Sequence, residues 1–220
     1  AVTQAGNATI NVASGKTITF DNGTISTENY QLTLEGAGTV AFSANASGIV
    51  LNHADGLLKL NGTGTLQASQ VTAASNNSKG LEVNESSTIS SLTVSADTKL
   101  NIASGQTLSG STEIAANKTL TLSGTGTLNS ALNLEGTLEA VANLTVSGTI
   151  SVADNATVSI AAGTTLSYSG DNLTIGAHTL AIGGAGTFSN ASPLVLDLPD
   201  SILNLTGSGT ISGPVLLEGC

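Results

Sequence analysis

Between Leu100 and Leu166 the aliphatic residues keep to one side of a two-residue alternation. Of the 18 Leu, Ile and Val residues there, 17 stand at even-numbered positions, Val141 being the exception. A helix repeats its apolar face every three to four residues and so mixes odd with even, whereas a strand sends successive side chains to opposite faces. Alternation sustained over the whole of this stretch therefore predicts strands throughout. The commonest intervals between neighbouring aliphatics are two and six, the latter as in Ile102, Leu108, Ile114 and Leu120. The residues between them are small or polar, suited to turns and solvated faces. The expectation is of short strands wound around one narrow apolar core. Ile102, Leu108, Ile114, Leu120, Leu122 and Leu128 point in, and Asn101 and Thr121 point out.

Two phrases recur along the chain. The first is Ile10-Asn-Val12-Ala-Ser-Gly-Lys-Thr17-Ile18, repeated at Leu100 to Leu108 and at Val158 to Leu166. The second, apolar-x-apolar-x-Gly-x-Gly-Thr-apolar, occurs five times, beginning at Leu32, Leu58, Leu120, Leu180 and Leu203. Repetition at such intervals marks a solenoid, in which each unit buries its apolar face only against its neighbours. The step from Leu180 to Leu203 is shorter than that from Leu32 to Leu58, so the turns of the solenoid differ in length. No helical periodicity follows Gly-x-Gly, which excludes a phosphate-binding loop. No Asp stands at the offset a calcium-binding repeat requires. Ser43–Ser78 and Ser192–Ser201 depart from the rhythm without resembling a linker. Residues 1–220 are accordingly expected to form one continuous domain.

Aromatics are 2% and charged residues 9% of the chain, so the core must be built from thin aliphatic layers. Fifteen acidic residues against 5 Lys, with no Arg, give a net charge of −10. That balance excludes a phosphate-neutralising nucleic-acid binder and disfavours anionic membrane surfaces. No apolar run is long enough to predict a membrane-spanning helix. Cys220 is the single cysteine, so no intramolecular disulfide is expected.

The phrases Ala-Ser-Gly-Lys-Thr-Ile, Ala-Ser-Gly-Gln-Thr-Leu and Leu-x-Leu-x-Gly-x-Gly-Thr-Leu resemble the passenger regions of bacterial autotransporters and filamentous-haemagglutinin-like adhesins. The alternation and the repeats predict an all-β, single-stranded β-solenoid of roughly ten rungs, and the resemblance implies that it is a parallel, right-handed β-helix. It also implies a segment of a longer protein exported to the cell surface, without a cofactor. Its partners would be glycans or proteins of host or neighbouring cells, or further copies of itself end to end. A left-handed hexapeptide β-helix is the competing fold.

Candidate chemistry is sparse. A β-helical carbohydrate-active enzyme would need clustered acids. Asp197 and Asp200 are the nearest approach to a carboxylate pair, although their proline-flanked setting points to a solvated loop. His53 and His178 have no metal-ligating neighbour at suitable spacing. Twelve Asn-x-Ser/Thr sequons follow largely from a composition rich in those residues. Six strands read apolar-Thr-apolar, and their central residues Thr19, Thr33, Thr93, Thr121, Thr145 and Thr174 are the candidate for an outward hydroxyl ladder. Such a ladder either orders water, as in ice-binding solenoids, or satisfies β propensity alone. Asn11, Lys59, Asn101 and Ser159 interrupt it. The function expected is that of a non-catalytic extracellular adhesin or matrix stalk, with a self-assembling filament and an enzyme as alternatives.

Overall fold

The computed structural model describes residues 1–218, the side chains at 65 and 67–69 excepted. Its 27 elements are all strands, and every pairing between them is parallel. The chain forms a β-solenoid of about 10 turns. Three strand stacks run its length. The first holds ten strands, from Ala8–Asn11 through Thr98–Ile102 and Thr119–Gly124 to Ile202–Leu205. The second begins with Thr17–Phe20 and Thr39–Phe42, and it ends with Thr187–Asn190 and Thr210–Ser212. The third begins with Val2–Thr3 and Gly23–Ser26 and ends with Leu194–Leu196 and Val215–Leu217. In the middle turns one long strand serves both the second and third stacks. Thr127–Leu134, for example, pairs through Thr127 and Leu128 with Leu144–Val146, and through Leu132 to Leu134 with Ile150–Val152.

Successive strands of a stack lie about 22 residues apart. The step from Thr127 to Thr145 is among the short ones and that from Leu32 to Leu58 among the long ones. The strands stay in register while the corners absorb the difference. Inside, aliphatic side chains stack in columns such as Leu32, Leu58, Leu81, Leu100 and Leu122. The six residues expected to point inward are all at most 1% exposed. Among the described residues two aromatic pairs stack, Phe20 with Phe42 and Tyr168 with Phe188, at centroid separations of 5.2 and 6.3 Å.

Both recurring phrases turn the same corner, from the first stack into the second. Ala103–Gln106, from the first phrase, forms a four-residue loop, and Gly124–Gly126, from the second, lies directly beneath it in the next turn. Gly124 has φ +81°, and a Cβ there would lie 2.1 Å from the Ile102 carbonyl oxygen. A Cβ on Gly126 would lie 2.4 Å from Ile102 Cγ2 and 2.5 Å from the Ala103 carbonyl oxygen. Only glycine lets the backbone come this close. The same nesting recurs where Gly36–Gly38 underlies Ala13–Lys16 and where Gly184–Gly186 underlies Ala161–Thr164.

At the corner leading back into the first stack, Asn and Asp side chains extend the hydrogen-bond ladder through the turn. Asp97 Oδ1 accepts from Thr119 N at 2.9 Å, Asn155 Oδ1 from Thr179 N at 2.8 Å and Asp197 Oδ1 from Gly176 N at 3.0 Å. Ser43–Ser78 is built of ordinary strands with longer corners at this position. Ser192–Ser201 holds the third-stack strand Leu194–Leu196 and the corner after it.

Candidate functional site

The six threonines singled out from the sequence do not share a face. Thr33 and Thr121 lie on the first stack, Thr19 and Thr145 on the second, Thr93 and Thr174 on the third. Apolar-Thr-apolar is the generic pattern of a half-buried strand, so it recurs in every stack and carries no information about which one. Thr33 is only 4% exposed, and Thr121 donates to Glu139 Oε2 at 2.8 Å.

A continuous hydroxyl column does exist, and of the six it contains only Thr145. Thr107, Thr127, Thr145, Ser167, Ser189 and Ser212 follow one another in register down the second stack. Beside them, two residues earlier on each strand, run Thr165, Thr187 and Thr210, with the last two hydroxyls 3.1 Å apart. Neighbouring rungs are about 4.8 Å apart and alternate residues of one strand about 6.7 Å apart, so the hydroxyls form a two-dimensional grid. The sequence signal for this grid is the Thr that opens most second-stack strands, as in Gly126-Thr127-Leu128 and Gly186-Thr187-Phe188. It is visible in the sequence as part of a repeat but not as a surface.

Charge distinguishes this side of the molecule. No strand position paired within the second stack is Asp, Glu, Lys or His. The first stack carries the Lys59–Glu82 ion pair at 3.1 Å, together with Lys99 and Glu139, and the third carries Glu113. Thus, in a chain of net charge −10, the paired outward positions of the second stack from Thr107 to Ser212 are hydroxyls and amides alone, whereas Ala41 stands among them in the earlier turns.

The remaining candidates are engaged locally. Asp197 is held in its corner by Gly176 N and lies 3.5 Å from Ser201 Oγ, while Asp200 is exposed. His53 is exposed, and its Nδ1 accepts from Asp55 N at 3.2 Å. No group of three or more His, Cys, Asp or Glu side chains converges among the described residues. Among them, too, no helix is long and apolar enough to cross a membrane. Cys220 lies outside the described residues. Tyr168 is buried, and its hydroxyl donates to the Asp171 carbonyl oxygen at 2.7 Å and accepts from Ile150 N at 3.4 Å. Burial pushes its pKa above the ordinary tyrosine value; the Ile150 amide pulls against this, and the Asp171 charge adds to it.

Comparison of the chain with protein-family models, with curated proteins and with solved structures finds no match in any of the three.

Proposed function

We propose that the protein is a non-catalytic extracellular rod that adheres to uncharged, hydroxyl-rich surfaces of cells or matrix, with neutral glycans as the partner class. The observation that carries this reading is the second stack, whose paired outward positions from Thr107 to Ser212 are hydroxyl and amide side chains without a single charge. Such a grid matches the donors and acceptors of a polysaccharide at low desolvation cost, because each hydroxyl both donates and accepts. The resemblance of the repeats to exported adhesin passengers supports the same reading, and with it a location at the bacterial cell surface.

Retention on an insoluble neutral polysaccharide tests it. Retention is expected to be unchanged by high salt, since screening acts only on charges, and to be lost when Thr145→Lys and Ser167→Lys are combined. Retention unaffected by the double substitution would refute contact through this face. Release of reducing ends or unsaturated products that stops on replacing Asp197 or Asp200 would establish an enzyme instead.

A further inference from the structure

A recess interrupts the corner between the third and first stacks. Three successive corners there are formed by residues 115–118, 135–136 and 153–155. The middle one is shortest, and Gly136 is drawn so tightly under its predecessor that a Cβ would lie 2.3 Å from the Lys118 carbonyl oxygen. The longer flanking corners overhang it and leave a cavity of about 310 Å³. That volume is at the lower end of small-ligand sites, suited to one ring rather than a chain.

The lining is polar and specific. Thr137 and Thr157, neighbours in one outward column, supply two hydroxyls; Asn117 stands on one overhang, Asp154 and Asn155 on the other, and Glu135 between them. Each carboxylate commits one oxygen to the protein. Asp154 Oδ1 accepts from Asn155 N at 2.7 Å, and Glu135 Oε1 from Asn133 Nδ2 at 3.3 Å. The other oxygen of each, both threonine hydroxyls and Asn155 Nδ2 have no partner among the described residues. No cationic side chain lines the cavity. Glu139 follows Thr137 on the same strand and Glu113 lies one rung from Asn133, while Lys118, next to Asn117, is the one cation of the three corners, so the carboxylates around the recess outnumber it. Three metal-ligating side chains do not converge here. The occupant that answers to two carboxylate oxygens, two hydroxyls and an amide is an organic cation that also carries hydroxyls.

We propose that this recess binds a single protonated amino-sugar residue of a glycan, its ammonium group between Glu135 and Asp154 and its hydroxyls on Thr137, Thr157 and Asn155. The site is separate from the uncharged second stack, and its test is separate from retention on a neutral surface. Calorimetric titration at mildly acidic pH compares a glucosamine trisaccharide, its N-acetylated counterpart, a glucose trisaccharide and lysine. The glucosamine trisaccharide is expected to bind, and the N-acetylated and glucose forms to bind at least about tenfold more weakly, as loss of a charge-assisted hydrogen bond implies. Glu135→Gln and Asp154→Asn should each weaken binding about tenfold, and together abolish it, with the circular dichroism spectrum unchanged because both side chains reach solvent. Absence of binding, equal binding of the N-acetylated form, indifference to both substitutions, or lysine binding as tightly as the sugar would each overturn the proposal.

Discussion

Among the described residues Tyr168 is the one ionisable side chain buried in the core, at 1% exposure, and its titration is expected to make the stability of the solenoid depend on alkaline pH. Its pKa is raised in the folded state, chiefly by burial. The folded chain therefore holds the phenolic proton more tightly than the unfolded chain does. The stability this contributes is complete below the unfolded value of 10.0 and is lost as pH rises from there through the folded pKa. Denaturation midpoints should fall steeply above that value in the wild type and less steeply in Tyr168→Phe. The variant itself should lose about 1–3 kcal/mol at neutral pH, because the Asp171 carbonyl oxygen and Ile150 amide forfeit their partner. Equal alkaline slopes in the two proteins would show that the phenol does not titrate with unfolding. Residues of this kind also mark where sequence reading reaches its limit. Thr98, Thr112 and Ser130 stand in step with the buried aliphatics and lie inside, each at most 3% exposed. What the alternation lacks is the partner: Thr112 and Ser130 bond one another from different turns at 2.8 Å, whereas Thr98 Oγ1 has none.

Among the elements, the corners set the tolerances and the strands follow. Gly126→Ala drives a methyl group into Ile102 Cγ2 and the Ala103 carbonyl oxygen of the preceding turn, both within 2.5 Å. A loss of about 3 kcal/mol or more is expected, at the upper end for overpacking. Gly105→Ala is the control: its φ is +73°, but a Cβ there meets nothing within 4 Å, so only the left-handed backbone penalty of about 1–2 kcal/mol applies. Chemical denaturation of the two variants should rank them in that order, and a reversed ranking would refute the nested-corner account. The elements are legible in the sequence where a turn holds an even number of residues. Leu100 stacks on Leu122, Leu120 on Leu138 and Leu138 on Val158, so the columns there stay on even-numbered positions. Leu60 instead stacks on Val83, and Val83 on Ile102, so the alternation changes sign twice although the stack continues unbroken. The two phrases look like alternating kinds of unit because their residues differ. In three dimensions they are a loop and the tight corner that nests beneath it, a relation between successive turns that a single strand's pattern does not carry.

For the whole molecule, about ten rungs at about 4.8 Å make a body on the order of 50 Å long. Its first described turn exposes Val2 and Ile18, and its last exposes Ile202, Leu205, Val215, Leu216 and Leu217. Strand edges of this sort pair with whatever strand is offered. A polypeptide of these 220 residues should therefore self-associate in light scattering and form rods or fibres in electron micrographs. Leu205→Lys with Leu217→Lys should return it to the monomer. A wild-type polypeptide that is strictly monomeric would eliminate the filament reading. The three-stack architecture could be anticipated only in part, because a period of two declares strands but not how many lie in a turn. The uncharged face is hidden in the sequence for the same reason. Its members, such as Thr127 and Thr145 or Ser189 and Ser212, stand a full turn apart along the chain and become neighbours only through the winding.

The winding also determines how the rod responds to tension. Its first and last strands lie at opposite ends of the stacks, and hydrogen bonds between parallel strands run from rung to rung. A pull along the axis therefore loads these bonds end-on and opens them one rung at a time, whereas a shear would load the whole ladder together. Each rung that peels away releases about 22 residues of chain. Drawn out, that length is about 70–80 Å, in exchange for the few ångströms the rung occupied. A tether built this way yields in steps and extends to many times its resting length before its anchor is strained.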